Sequence, residues 1–140
     1  MFVDTNVLIY STRTSSSFYA RANAALTNAA RTEPRLAISR QIVREYLAVV
    51  TRPGGESEPL PMAAALADVA RFEKDFDLLE DGPAVAAQLV QLCRAVTVSG
   101  RQVHDANIVA TMLAHGETRL LTANRSDFQR FGSLIQIVEP

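Results

Sequence analysis

The sequence predicts an α/β fold, namely a three-layer α/β/α sandwich in which helices cover both faces of a central, mostly parallel sheet. Short apolar runs alternate with longer stretches of helical spacing, which is the pattern of strands joined by helical crossovers. The chain has 140 residues, enough for one domain with one sizeable core, so we expect a single domain over residues 1–140.

The N-terminal part of the chain predicts two strands and three helices. Residues 1–4 form an apolar run that ends at a carboxylate, and the cap-forming pair Thr5 and Asn6 indicates that a helix follows directly. A second strand is predicted at residues 36–38, between the helix break at Pro34 and the candidate N-cap Ser39. The two longer helices are predicted over residues 18–30 and 40–51.

The remainder of the chain predicts an exposed loop followed by further alternation of helices and strands. Glycines and prolines concentrate in residues 52–61, which indicates an irregular segment. Helices are predicted over residues 62–74, 83–95 and 103–115, the last ended by Gly116, with a short turn or helix over 125–131. Strands are predicted over residues 77–79, 119–122 and 134–138, with a weak strand or connection over 96–98.

The composition is that of a globular protein and limits the classes of partner. Hydrophobic residues make up 48% and charged residues 21%, and the net charge of -1 gives no strong overall attraction to nucleic acid. Cys93 is the only cysteine, which excludes an intrachain disulfide, fits a reducing cytoplasm and predicts a plain core thiol. The N-terminus has neither a signal-peptide pattern nor a membrane-spanning run, so we expect a cytoplasmic protein with no membrane contact.

Two acidic residues follow strands of the predicted sheet. Asp4 ends the first strand, and Asp127 comes shortly after the strand at residues 119–122, together with Asn124. Ligands of open parallel sheets bind beyond the carboxyl ends of the strands, where these side chains are expected. Taken singly, Asp4 is better explained as a helix N-cap, and Asn124 and Asp127 can be explained as turn formers; the presence of Glu45 and Asp105 is what favours a site at Asp4.

Two further acidic residues lie on the apolar stripe of a predicted helix. Asp105 shares its helical face with apolar residues three, four and seven positions later, and Glu45 has apolar neighbours at the same spacing. A helix-start aspartate held by the dipole would instead lie off the stripe, so the position of Asp105 favours a site. Glu45 taken alone is equally well explained as a solvated glutamate at the edge of the stripe, paired with Arg40 or Arg44.

Four converging carboxylates repel one another unless a cation enters or some of them are protonated. Mg²⁺ and Mn²⁺ prefer oxygen ligands and can activate a water toward a phosphodiester. The sequence therefore predicts a catalytic and metal-binding set formed by Asp4, Glu45, Asp105 and Asp127. Asn124 is a neutral alternative that could supply an oxygen ligand or bond a metal-bound water.

The ordered motifs resemble the PIN domain over essentially the whole chain. Residues 3–10 (VDTNVLIY) resemble the opening of that domain, and residues 44–46 (REY), 103–106 (VHDA) and 121–128 (LTANRSDF) agree with its later landmarks in order and spacing. The closest subgroup is the VapC-like toxins of prokaryotic toxin–antitoxin pairs.

The resemblance implies a metal-dependent endoribonuclease whose Asp4, Glu45 and Asp105 bind Mg²⁺ or Mn²⁺. Many relatives carry an aspartate at the position of Asn124, and here Asp127 could substitute for it. The resemblance also implies a homodimer and a cognate antitoxin that often places a basic side chain near the acidic pocket. The resemblance implies that three further residues contact the metal ligands without binding the metal themselves: Thr5, Asn6 and Thr122.

Several questions stay open at the level of sequence. A PIN-type nuclease of RNA processing outside a toxin–antitoxin pair, and a catalytically inactive PIN-fold binding module, are both compatible with the motifs. A phospho-receiver domain is disfavoured because no lysine follows the late strand. The arginines that lie near the site in sequence order are candidates for contact with RNA phosphates: Arg13, Arg40, Arg44 and Arg125.

Overall fold

The computed structural model describes residues 1–54 and 58–140. Within them, five short strands form one sheet: β1 (Phe2–Val3), β2 (Ala37–Ser39), β3 (Asp77–Leu79), β4 (Arg119–Leu121) and β5 (Gln136–Val138). The same residues form seven α-helices: α1 (Thr5–Thr12), α2 (Tyr19–Thr32), α3 (Arg40–Val50), α4 (Met62–Asp75), α5 (Pro83–Ala95), α6 (Gln102–Ala114) and α7 (Arg125–Phe128). A single 3₁₀ turn, Gln129–Phe131, follows α7.

The strand order is β3-β2-β1-β4-β5, and every neighbouring pair is parallel. The N-terminal strand β1 is therefore the central strand, with β2 on one side and β4 on the other. The predicted α/β class and layered sandwich are confirmed, and the sheet is entirely rather than mostly parallel. From β1 the chain adds β2 and β3 on one side, and β4 and β5 then follow on the other side. The order of the strands therefore reverses between β1 and β4, which creates the kind of crevice where parallel sheets bind ligands.

The centre of the sheet is the best buried part of the core. Phe2, Val3, Leu120 and Leu121 are at most 1% exposed, which agrees with a sheet covered on both faces. The edge strands β3 and β5 contain exposed or half-buried positions. The two strands that end at the predicted site are therefore among the best buried strands of the sheet.

Local signals explain where the helices around the site begin and end. Ser39 caps α3, since its hydroxyl accepts a hydrogen bond from the Ile42 amide at 3.4 Å. Helix α6 ends at the predicted glycine, because Gly116 has φ of 74° and turns the chain in a conformation that costs other residues energy.

One expectation from the sequence is wrong. Cys93 is exposed rather than a core residue, because α5 buries Val85 and Leu92 and Cys93 lies one position, about 100° around the helix, from Leu92. Residues 96–98, predicted as a weak strand or a connection, form a connection. The predicted loop at 52–61 is irregular wherever it is described, and its residues 55–57 lie outside the described part.

None of the helices described is both long enough and apolar enough to cross a membrane.

Candidate active site

The register of the two central strands brings Asp4 beside Thr122. Val3 is paired with Leu121, so the next residue of each strand extends past the sheet at the same place. The Asp4 amide donates a hydrogen bond to the Leu121 carbonyl at 3.0 Å, and the Thr122 hydroxyl donates to Asp4 Oδ2 at 2.7 Å. Two residues 118 positions apart in sequence thus form one unit at the carboxyl end of the sheet.

Asp4 is buried and its carboxylate is held by three donors. Oδ1 accepts from the Thr5 amide at 2.6 Å, while Oδ2 accepts from Asn6 Nδ2 at 2.7 Å and from Thr122. Asn6 in turn accepts at its Oδ1 a hydrogen bond from the Ala123 amide at 2.9 Å. Asp4 is therefore both the N-cap of α1 and a fixed acidic group in the crevice, so the two interpretations of this residue are compatible.

Glu45 is held at both of its carboxylate oxygens. The Thr5 hydroxyl donates to Oε2 at 2.7 Å, and Gln41 Nε2 donates to Oε1 at 2.6 Å. Gln41 also donates to the His104 carbonyl of α6 at 3.0 Å and accepts from Asn107 Nδ2 at 2.7 Å. This network fixes the glutamate of α3 against α6.

Asp105 and Asp127 complete the acidic face from α6 and α7. Both are half-buried and line the same cleft as Asp4 and Glu45. Asn124 donates to Asp127 Oδ2 at 2.5 Å, but Asn124 itself is exposed and is not among the residues lining the cleft. Of the two candidates for the fourth position, Asp127 is the one whose side chain lies in the cleft.

The cleft, which we call the acidic cleft, has a volume of about 980 Å³. Its lining contains the four carboxylates together with apolar side chains that include Ile9, Val49, Leu89 and Val103. Within residues 1–54 and 58–140, no three His, Cys, Asp or Glu side chains are grouped closely enough to hold a metal ion. The carboxylates therefore share one cleft without forming a closed cage of ligands.

Burial and mutual repulsion raise the pKa values of two of these carboxyl groups to about 6. For Asp4, burial is the main cause; the bonds from Thr122 and the Thr5 amide oppose it, and the charges of Glu45 and Asp105 add to it. For Asp105, burial again comes first, followed by the charges of Asp127 and Glu45, while Arg130 and His104 lower the pKa. The carboxylates of the cleft therefore act on one another's ionisation.

The four arginines proposed for phosphate contact occupy different places. Arg44 lines the acidic cleft, with Nη2 3.8 Å from Asp81. Arg40 forms two hydrogen bonds with Glu80, at 2.8 and 2.6 Å, and Arg125 lies 3.5 Å from Glu139. Arg13 donates to the carbonyls of Val50, at the end of α3, and of Glu58. Only Arg44 of this set lies in the cleft.

Three polar residues of the cleft were not predicted from the sequence. Gln41 and Asn107 form the network behind Glu45, and Arg101 lines the cleft directly. A sequence signal does exist, because Gln41 lies one turn before Glu45 and Arg101 one turn before Asp105. Glutamine and asparagine on a helix surface are too common for that spacing to identify them.

The family model described as PIN domain matches residues 1–134. The chain belongs to the PIN domain family. Ribonuclease VapC24 of Mycobacterium tuberculosis is 26% identical over 132 residues, covering 93% of this chain and 90% of that protein.

Solved structures share the fold of this PIN domain. Mycobacterium tuberculosis VapC20, a sarcin–ricin loop cleaving toxin, has a TM-score of 0.70 at 16% identity, covering 91% of this chain and 92% of that one. A chain in a toxin–antitoxin complex from Klebsiella pneumoniae has a TM-score of 0.64 at 22% identity, over 98% and 94% of the two chains.

The raised pKa of Asp105 predicts that its charge destabilises the metal-free PIN domain above pH 6. The folded chain binds this proton up to about pH 6, whereas the unfolded carboxyl loses it near 3.8. Stability therefore falls as the pH rises through that window. Asp105→Asn should raise the melting temperature in EDTA by about 3 °C at pH 8, with little difference at pH 4.

Thermal melts at the two pH values, with the exposed Glu73→Gln as a charge-matched control, check this prediction. An Asp105→Asn protein that is no more stable than the wild type at pH 8 would contradict it.

The Thr122 hydroxyl is predicted to stabilise the PIN domain as well as the site. It donates to Asp4 and accepts hydrogen bonds from Asn6 Nδ2 at 3.1 Å and from the Asn124 amide at 3.0 Å. Thr122→Val should lower the free energy of unfolding by about 2 kcal/mol, because it leaves buried partners unsatisfied. Urea denaturation measures this effect, and Thr111→Val is the matched control, since the buried Thr111 hydroxyl donates to a carbonyl of its own helix. Equal losses in the two variants would disprove the special role of Thr122.

Proposed function

We propose that this chain is a metal-dependent endoribonuclease that hydrolyses RNA phosphodiester bonds and acts as the toxin of a toxin–antitoxin pair. The observation that carries the proposal is the convergence of four acidic side chains in one cleft at the carboxyl end of a parallel sheet. The PIN domain family and the similarity to Ribonuclease VapC24 support hydrolysis of RNA as the reaction.

The acidic cleft offers the donors that a hard divalent cation, Mg²⁺ or Mn²⁺, prefers, although no three of them in the described residues are grouped closely enough to hold the ion without water or side-chain movement. These donors are carboxylate oxygens, and burial together with mutual repulsion, which a cation would relieve, raises the pKa values of Asp4 and Asp105. Asp4, Glu45, Asp105 and Asp127 would hold the ion, in part through water, since Mg²⁺ usually keeps several waters. When bound, the ion supplies charge neutralisation and activation of water toward the phosphodiester.

The chain's own residues orient these acidic groups before any substrate arrives. Thr122, Asn6 and the Thr5 amide hold the Asp4 carboxylate. Gln41 and the Thr5 hydroxyl fix both oxygens of Glu45. Such fixed carboxylates need little reorganisation when charge develops at the phosphate.

Arg44 and Arg101 are the basic side chains at the cleft, so they are the groups proposed to contact RNA phosphates. The other arginines proposed from the sequence, Arg13, Arg40 and Arg125, would have to leave present partners to do so. The sarcin–ricin loop, which VapC20 cleaves, is one RNA to include among the substrates tested.

The proposed partner is a cognate antitoxin, as in the toxin–antitoxin complex from Klebsiella pneumoniae. A cleft lined by both apolar and acidic side chains fits a partner segment that has apolar side chains and one basic side chain. We propose in addition that the chain forms a homodimer. The lack of an adjacent antitoxin gene would instead favour a nuclease of RNA processing outside such a pair. The lack of RNA cleavage would favour an inactive binding module.

Asp105→Asn is predicted to abolish metal-dependent cleavage while the fold persists. Removing a ligand of the cation should reduce the rate at least about a hundredfold, since metal catalysis contributes several kcal/mol. The assay is cleavage of a mixed pool of tRNA and rRNA with Mg²⁺, with Mn²⁺ and with EDTA, with Glu73→Gln as the control that removes one charge elsewhere. Cleavage by Asp105→Asn at the wild-type rate would show that the site is wrongly assigned.

Asp127→Asn is predicted to weaken cleavage less than Asp105→Asn, by about tenfold. Asp127 lies on the short helix α7 and is bonded by Asn124, so the amide of the variant can keep a polar contact near the ion. The same assay compares the two rates over a range of Mg²⁺ concentrations. An equal or larger loss for Asp127→Asn would identify Asp127 as a principal ligand.

A further inference from the structure

A second concavity adjoins the acidic cleft and has no part in the site described above. We call it the aromatic pocket; it lies between the end of α1, the serine-rich loop that follows it and the end of α3, and has a volume of about 410 Å³. That volume is in the range of about 300–1,000 Å³ typical of small-molecule sites. Ile9 and Val49 line both the pocket and the acidic cleft, so the two concavities are neighbours.

Two aromatic rings form one wall of the aromatic pocket. Tyr10 and Phe18 are stacked, with their centroids 4.9 Å apart and an interplanar angle of 24°. Phe18 is 41% exposed and Tyr10 is half-buried, and the Arg21 guanidinium lies over the Phe18 ring, with its carbon 5.8 Å from the ring centroid. A partly exposed aromatic pair beside a cation is the kind of surface on which unpaired bases stack in single-stranded RNA complexes.

The charge of the aromatic pocket is opposite to that of the acidic cleft. Its described lining contains Arg13 and Arg52 and no carboxylate. Arg13 is fixed by hydrogen bonds to the carbonyls of Val50 at 2.8 Å and Glu58 at 2.9 Å, which leave its positive charge in place. Arg52 is exposed and makes no salt bridge within the residues that the structure describes. Serines 15–17 add hydroxyl groups to the same wall.

We propose that the aromatic pocket binds an unpaired nucleotide of the RNA, next to the phosphodiester held in the acidic cleft. The base stacks on the Tyr10–Phe18 pair, and Arg52 contacts its phosphate, while the fixed positive charge of Arg13 adds to the attraction. This inference rests on the proposed function, because the cleft supplies the reason for RNA to be there. The shared wall of Ile9 and Val49 lets one strand occupy both concavities.

The proposal implies selection for single strands and loops. Bases inside a duplex are stacked and paired, so a duplex can present a base to the pocket only after unpairing it, which costs energy. An unpaired strand enters without this cost. The pocket would thereby restrict cleavage to RNA segments whose bases are free.

The test measures binding of fluorescein-labelled oligoadenylate by anisotropy, in the Asp105→Asn background with Mg²⁺ so that the strand stays intact. Phe18→Ala and Phe18→Leu should each weaken binding about tenfold, whereas Phe18→Tyr should stay near the parent. Phe18→Leu retains an apolar side chain against Tyr10, so it tests the aromatic ring separately from folding. The same strand annealed to oligouridylate should bind much more weakly.

Two variants serve as matched controls. Leu134→Ala truncates an apolar side chain that is 40% exposed, nearly the same fraction as Phe18, and should bind oligoadenylate like the parent. Arg52→Ala should lower the salt dependence of binding, and the exposed Arg94→Ala, which changes net charge equally, should not.

Unchanged binding by Phe18→Leu, equal affinity for the duplex, or no binding of oligoadenylate at all would each overturn the nucleotide site. In the first case the aromatic pair would be assigned to a protein partner. Failure of the proposed function has a different signature, in which the wild-type chain cleaves no RNA in the pool while oligoadenylate binding still depends on Phe18.

Discussion

The buried carboxylate of Asp4 is the constraint on which the rest of the site depends. It lies at the end of the central strand, nearly removed from water, and its charge is supported by the Thr5 amide, Asn6 and Thr122. These donors come from α1 and from the loop after β4. The Asp4 carboxylate therefore has all of its hydrogen-bond donors only when β1 is paired with β4. The geometry of the acidic cleft is thus a property of the sheet's centre rather than of flexible loops.

The same arrangement places function and stability in opposition. Carboxylates that are buried and repel one another are unfavourable in the isolated chain, which is visible in the raised pKa values of Asp4 and Asp105. Helices α3 and α6 are joined by Gln41, which bonds Asn107 and the His104 carbonyl and also holds Glu45. Neutral side chains therefore connect two helices of a cleft whose carboxylates oppose folding.

Much of the fold could be predicted because each element carries a local signal. The bounds of β3 and α5 agree with prediction, and α3 begins at its predicted cap. Asp105 could be singled out because a solvated aspartate would not lie on an apolar helical stripe. Gln41 and Asn107 could not be identified, since their role depends on how close α3 packs to α6. The prediction for Cys93 is wrong for a related reason: α5 is apolar on more than its buried face, and only packing decides which side faces the core.

The central position of the N-terminal strand has a consequence for biosynthesis. Strand β1 leaves the ribosome before β4, whose Leu120 and Leu121 pair with Phe2 and Val3, and Thr122 is 118 positions from its partner Asp4. Contacts so distant in sequence form late and slowly. A nascent chain therefore has no assembled acidic cleft until β4 and Thr122 have been translated, and truncated products that end before β4 cannot form one.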